Sequence, residues 1–391
     1  MKKLRIMWLF PHLTISGGGT RYVLEGLQEF AKEHDVHLYV QKSSPKMLQQ
    51  FLDASIKVTT ISKSSTGDIK FWLNFSNQID HEIKFLKNEA KNYDVVISCM
   101  FPMNIVANSI GLPHIQGLFQ PFAFFWDPTM ISNLSILHRI FLYFLKRKFG
   151  KFDILATQKS NKLTTVISSN KVAISKIYHR NDPIIAHAGV NTSFFKKSYE
   201  PNLFKKYVGK KIILHSTDWT PLKATNWLID EFQKISSKMD NVTLLIMEVI
   251  DNGRERNIAL KKIREKNIQN IEFLGLVEEK LLPFYYSLAD VTIYSGIGSA
   301  ASASYIVLES LACETPVIRT DFTRDEVEHN KTGFLFKPSD LDGFQKYVLE
   351  LLTNDELNSQ FGKEGRLFVE KNRSWQTFVK IHEKIFNELI N

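Results

Sequence analysis

Short apolar runs rich in β-branched residues alternate along this chain with longer segments whose apolar residues recur at helical spacing, and the alternation happens twice. "LRIMWLF" (4–10), "DVHLYV" (35–40), "DVVISCM" (94–100) and "PHIQGLF" (113–119) predict buried strands. Between the first two, "TRYVLEGLQEFAKEH" puts Val23, Leu24, Leu27 and Phe30 on one helical face. The same grammar restarts at "KIILHS" (211–216) and continues through "NVTLLIME" (241–248), "IEFLGLV" (271–277), "DVTIYS" (290–295) and "PVIRTD" (316–321). Strand–helix–strand order forces parallel pairing with helices over both faces, so the expected class is α/β with two doubly wound halves. Gly189, Pro201 and polar residues interrupt the periodicity near "HAGVNTSFFKKSYEPN" (187–202), which sets the expected domains at 1–190 and 191–373. A last helix, within 374–391, opens at Ser374, a good N-cap residue.

A length of 391 residues suits two such domains. Hydrophobic residues at 44% and charged residues at 23% describe a folded chain rather than a disordered one. Cys99 and Cys313 are the only cysteines, too few for a disulfide framework or a metal set, and a reducing cytoplasm fits them best. "MKKLRIMWLFPHL" has the charge-then-apolar order of a signal peptide, but the run is short, ends at Pro11 and lacks a small-residue cleavage site; it reads as a first strand. No apolar stretch is long enough to span a bilayer. The net charge of +9 suits a polyanionic partner or a lysine-rich solvated surface equally.

Three segments carry candidate chemistry. Gly17, Gly18 and Gly19 follow the first strand and open a helix, where amides without side chains in the way can approach an anion. Tyr22 stands where a dinucleotide fingerprint would need its last glycine, so a bare connecting turn is an equal reading. "HSTDWTPLKATNWLIDEF" again follows a strand and opens a helix, with Lys223 placed to meet a phosphate or simply to be solvated. The small-residue loop 296–304 leads into a helix near Tyr305, with Glu309 one turn inside. That carboxylate could accept from the vicinal hydroxyls of a ribose, or merely favour the helix N-terminus.

Taken together these segments resemble the GT-B glycosyltransferases, in particular the large retaining family 4, over nearly the whole chain. "GGGTRYVLEGLQEFAKEHDVHLYV" is similar to that family's N-terminal glycine loop and helix, "GVNTSFF" to its interdomain signature and "TPLKATNWLIDEF" to its donor-phosphate loop. "NIEFLGLVEEKLLPFYYSLADVTIYS" resembles its nucleobase region, and "SYIVLESLACETPVI" with "HNKTGFLFKPSD" its most specific block. "RSWQTFVKIHEKIF" resembles its closing helix, which implies that 374–391 returns to the first domain. The resemblance implies two Rossmann-like domains facing a cleft and metal-independent transfer of a hexosyl-type group from a nucleotide-diphosphate sugar, such as a UDP-sugar, with retention, in glycan biosynthesis. It implies that Glu309 holds the ribose and Lys223 neutralises the diphosphate. The amides of Ser304, Tyr305 and Ile306 would bind phosphate, Val277 would border the base, and Gly17, Gly18 and Gly19 would close over the phosphates. No cofactor is implied beyond the sugar nucleotide; the acceptor would be a glycan, a lipid-linked molecule or a protein.

The pattern also breaks. The family's first glutamate should stand at position 301, which is Ala301, and 291–308 contains no Asp or Glu. The arginine expected before the donor lysine is replaced by Thr217 or Asp218, and Phe119 or Gln120 stands where many relatives have a histidine. His114 is expected inside a strand rather than at the chemistry. Two readings follow: an enzyme with altered sugar contacts, or a catalytically silent subunit supporting an active glycosyltransferase partner.

The segment 119–152 stacks Phe122, Phe124, Phe125 and Trp126 before a helix-period run and the cations Lys146, Arg147, Lys148 and Lys151. It suits a helix at an anionic membrane surface on the inner face of the membrane, or an ordinary helix covering a sheet. Nucleic-acid binding has the charge but no module. Asp340 and Asp342 read as a helix cap rather than a metal pair, and no metal is expected.

Overall fold

Seven parallel strands form one sheet and six form another. The computed structural model describes residues 2–14, 17–251, 253–297 and 303–390. The first sheet contains β1 (Arg5–Leu13), β2 (Asp35–Ser43), β3 (Lys57–Thr60), β4 (Val95–Cys99), β5 (His114–Leu118), β6 (Lys162–Thr165) and β7 (Ile184–Ile185), in the order β3-β2-β1-β4-β5-β6-β7. The second contains β8 (Lys211–Thr217), β9 (Val242–Glu248), β10 (Ile271–Gly275), β11 (Val291–Tyr294), β12 (Val317–Thr320) and β13 (Gly333–Phe336), in the order β10-β9-β8-β11-β12-β13. Both are doubly wound α/β sheets, and the strands at their centres are buried along nearly their whole length.

Strand β1 does not end at Pro11. Pro11 is skipped in the register while His12 and Leu13 pair with Lys42 and Ser43, since proline supplies no ladder donor but does not stop the chain. The order of each sheet reverses beside its first strand, between β1 and β4 and between β8 and β11. Sheets of this kind bind ligands at the carboxyl ends of the strands at that reversal.

The chain divides into two units: Met1–Gly189 with Trp375–Asn391, and Val190–Ser374. The helix Trp375–Ile390 packs in the first unit on the helix Gly18–Phe30. Its Trp375 indole donates to Glu25 at 2.7 Å, and Gly26 lets the ring approach. A Cβ at Gly189 would come within 2.5 Å of the Trp375 amide, so only glycine fits there. Tyr22 is buried edge-on against Phe119, Trp375 and Phe378.

The aromatic cluster near 122–126 is core. Phe122 and Phe125 are buried with Phe101, and Trp126 donates to the buried Asp153 at 2.7 Å. Asp153 also accepts from Tyr178 and Asn104, and burial raises its carboxyl to about 6.

Burial lowers four imidazoles far below their ordinary value: His114 to about 3, and His37, His215 and His382 to about 4. From an ordinary value of 6.5 down to about 4, the unfolded chain takes up protons that these buried rings refuse, so stability falls as pH falls through that window. Each histidine is expected to cost roughly 1–2 kcal/mol between pH 7 and pH 5. Asp153 acts in the opposite sense between its ordinary value and about 6. Urea denaturation at the two pH values checks the net loss, which Asp153→Asn should enlarge.

Candidate functional site

Strand β8 pairs with β11 so that Ile213, Leu214 and His215 face Val291, Thr292 and Ile293. Their carboxyl ends therefore leave the sheet side by side, carrying the two segments singled out in the second half of the sequence. After β8 the chain passes through Trp219, at φ 56°, into a 3-10 turn Pro221–Lys223 and then Ala224, at φ 52°. The helix Thr225–Ser236 follows. The left-handed Trp219 is held at both ends. Its amide donates to Thr217 Oγ1 at 2.9 Å and its indole to the buried Glu248 at 2.9 Å. Asp218 accepts from the Thr220 amide and hydroxyl. Thr217 and Asp218 thus hold the turn and bring no cation.

Lys223 is half-buried, with Nζ 5.2 Å from the centre of the Tyr294 ring. Its carbonyl accepts from Ser295 Oγ at 2.7 Å, and the Leu222 carbonyl accepts from the Ile297 amide at 2.8 Å. His215 ties the same corner together: Nδ1 lies 3.0 Å from the Ile293 carbonyl and Nε2 lies 3.0 Å from the Thr225 hydroxyl. A ring lowered to about 4 is neutral, so it can donate at one nitrogen and accept at the other.

Ala301 lies outside the described residues, so the altered position of the family pattern receives no structural account here. Ser304 caps the helix Tyr305–Ala312, and its amide donates to Glu326 Oε1 at 2.8 Å. One of the three amides assigned to phosphate is therefore engaged by the chain's own carboxylate. The amides of Tyr305 and Ile306 sit in the first turn of the same helix.

Glu326 is buried and pairs with the fully buried Arg319 of β12. Burial pushes its carboxyl up, while Arg319, the Ser304 amide and Arg373 pull it back. The Arg319 guanidinium lies 5.3 Å from the Tyr294 ring centre, so two cations flank one tyrosine.

Glu309 is 2% exposed, and its Oε2 accepts from the Tyr286 hydroxyl at 2.7 Å. Tyr286 comes from the helix Leu282–Leu288. Val277 follows β10, half-buried against the apolar cluster that holds Tyr286 and Val307. In the first unit Gly17 caps the helix Gly18–Phe30, and its amide donates to Thr20 Oγ1 at 2.9 Å. Gly17 is extended rather than left-handed, and a Cβ there would meet nothing within 4 Å. Neither backbone nor packing demands that glycine; what it provides is open approach to the amides of Gly18 and Gly19. His114 lies in β5, 2.7 Å from Ser98 Oγ and 2.8 Å from Asn108 Oδ1, buried as expected. Asp340 caps the helix Leu341–Thr353 through the Gly343 amide.

Residues 199–368 match the model of the family described as glycosyl transferases group 1. That match lies wholly within the second unit, Val190–Ser374. Poly(ribitol-phosphate) alpha-N-acetylglucosaminyltransferase of Staphylococcus aureus is 23% identical over 245 residues, covering 61% of this chain and 47% of that protein. The chain thus spans about half the length of that curated relative. A glycosyltransferase from Rickettsia africae superposes with a TM-score of 0.76 at 15% identity over all of both chains. Anabaena HepE, solved in complex with UDP, superposes with a TM-score of 0.77 at 12% identity over 99% of this chain and all of its own. At these identities the likeness shows the fold, which is GT-B.

Removing the Glu326 carboxylate strips the buried Arg319 of its ion-pair partner and the Ser304 amide of its acceptor. Glu326→Leu is expected to cost roughly 3–5 kcal/mol, and the paired change Glu326→Leu with Arg319→Met clearly less. Denaturant titration of the two variants checks this.

Proposed function

We propose that the chain is a retaining glycosyltransferase that moves a hexosyl-type group from a nucleoside-diphosphate sugar to a glycan, lipid-linked or protein acceptor. The observation that carries this reading is the convergence of Lys223 and the first turn of the helix Tyr305–Ala312 at the carboxyl ends of β8 and β11. An ammonium and a helix N-terminus at one point suit the charge that develops on a departing diphosphate. Lys223 rests over the Tyr294 face until an anion arrives, an arrangement worth only about 0.5–1 kcal/mol at a partly exposed position and readily exchanged.

Glu309, held by Tyr286, would accept from the ribose hydroxyls, with Val277 beside the base. The amides of Gly17, Gly18 and Gly19 offer a further contact for the same class of anion. No side-chain nucleophile is required. The leaving diphosphate would take up the acceptor proton as the new glycosidic bond forms on the face from which the old one breaks, and the protein supplies phosphate stabilisation and positioning. No metal and no organic cofactor enter this scheme; the sugar nucleotide is a co-substrate. The complex of HepE with UDP and the description of the matched family favour this donor class.

Purified protein offered a panel of UDP-, GDP- and ADP-sugars is expected to consume one donor. Lys223→Met should lower kcat/KM on the order of a hundredfold with the fold intact. Glu309→Gln should weaken nucleotide binding, while Tyr286→Phe, which keeps the carboxylate, should have a smaller effect. Calorimetry with the matching nucleoside diphosphate separates the two roles. If no nucleoside diphosphate binds, the assignment is wrong; binding without any turnover would sink the transferase.

A further inference from the structure

The helix Ile136–Lys159 is buried along only one side. Leu142, Leu145 and Phe149 enter the core of the first unit, and Lys146 lies over the Trp126 ring at 4.3 Å. Among the described residues, no element covers the opposite side. Ile136 and Leu137 are 72% and 78% exposed, Ile140 is 50%, Tyr143 is 59% and Phe144 is 61%.

At 3.6 residues per turn, Ile136, Ile140, Phe144, Arg147 and Lys151 fall in one row, with Leu137, Phe141 and Lys148 along one flank. The row is about 22 Å long at 1.5 Å per residue, apolar in its first half and cationic in its second. No acidic residue occurs between Asp127 and Asp153. Asp127 is spent on capping the helix Pro128–Ser132, and Asp153 is buried under Trp126, Tyr178 and Asn104. Neither carboxylate neutralises the row.

We propose that the row Ile136, Ile140, Phe144, Arg147 and Lys151 docks the protein on an anionic lipid bilayer. The apolar turns enter the acyl boundary and the basic turns rest on headgroup phosphates. The depth suits an amphipathic helix, which buries its apolar side by about 5–10 Å. Tyr143, with an apolar ring and a polar hydroxyl, sits where the two halves meet. A protein partner fits less well, because lysine is depleted from the cores of protein interfaces, whereas here the cations continue the apolar row itself. The sequence offers this role to all of 119–152, beside that of an ordinary helix covering a sheet. The structure withdraws Phe122, Phe125 and Trp126, which serve the core, and leaves the outer side of 136–151.

The test is co-sedimentation of the full chain with vesicles of equimolar phosphatidylcholine and phosphatidylglycerol, against vesicles of phosphatidylcholine alone. The native protein is expected to partition onto the anionic vesicles, and raised salt should release it only in part, the apolar turns retaining the rest. The triple change Arg147→Gln, Lys148→Gln and Lys151→Gln should weaken binding about fivefold per cation removed, on the order of a hundredfold together. Ile140→Ser with Phe144→Ser should abolish retention at high salt. These side chains are exposed, so circular dichroism should show both variants folded. Failure of the native protein to bind anionic vesicles overturns the proposal. So does binding that both variants leave unchanged, or a native dimer in gel filtration that the Ile140→Ser and Phe144→Ser protein loses. None of these readouts depends on the sugar donor, so a failure here leaves the transferase reading standing.

Discussion

His215 lies in β8 with one ring nitrogen 3.0 Å from a carbonyl of β11 and the other 3.0 Å from the hydroxyl that opens the helix Thr225–Ser236. Three elements meet on one imidazole, whose Nδ1 proton goes to the Ile293 carbonyl, and burial keeps the ring neutral. Lys223 stands two residues before Thr225, so its place follows from the ring's. The Lys223 carbonyl is in turn bonded to Ser295, one residue beyond β11. The cation and the loop that leads to the next helix are thus set by a single buried hydrogen-bond chain rather than by the lysine's own contacts.

The second constraint is electrostatic. A helix N-terminus at a sheet edge attracts an anion, and this chain answers part of that attraction itself with Glu326. A buried carboxylate is costly unless it is paired, and Arg319, whose guanidinium also lies against Tyr294, provides the pairing. The resulting positive environment differs from the one the family pattern implies. The cation missing before Lys223 is not restored in the turn, where Thr217 and Asp218 are consumed by backbone contacts. Positive charge instead enters on β12, as Arg319, and Lys223 lies half-buried beside the same tyrosine, 5.2 Å from its ring centre.

What could be read in the sequence follows from how local each signal is. The long buried strands β1, β2, β4, β5, β8 and β9 announce themselves because both faces are apolar and β-branched. Strands β3, β6, β7 and β13 escape because they are two to four residues long and, unlike the equally short β11 and β12, are not buried along their whole length. Lys223, Ser304 and Glu309 were visible because turns and helix starts carry local chemistry. Glu326, Arg319 and Tyr286 were not, because each acquires its role from a partner that only the tertiary fold delivers. Arg319 looks like an ordinary residue of "PVIRTD" until β12 is laid beside Tyr294.

The same distinction explains the aromatic segment. Phe122, Phe125 and Trp126 look surplus in sequence, yet the Asp153 carboxylate recruits the Trp126 indole, the Tyr178 hydroxyl and the Asn104 amide into one buried hub. That hub ties the second half of the helix Ile136–Lys159 to the helices that carry Asn104, Trp126 and Tyr178. The helix needs only Leu142, Leu145 and Phe149 to complete the packing above it. Its outer apolar side chains therefore contribute nothing to the fold, and contiguous apolar surface of that kind carries a solubility cost. An apolar row of that kind suits a surface outside the chain, and the cations that follow in it are complementary to negative charge, as in the docking proposed above.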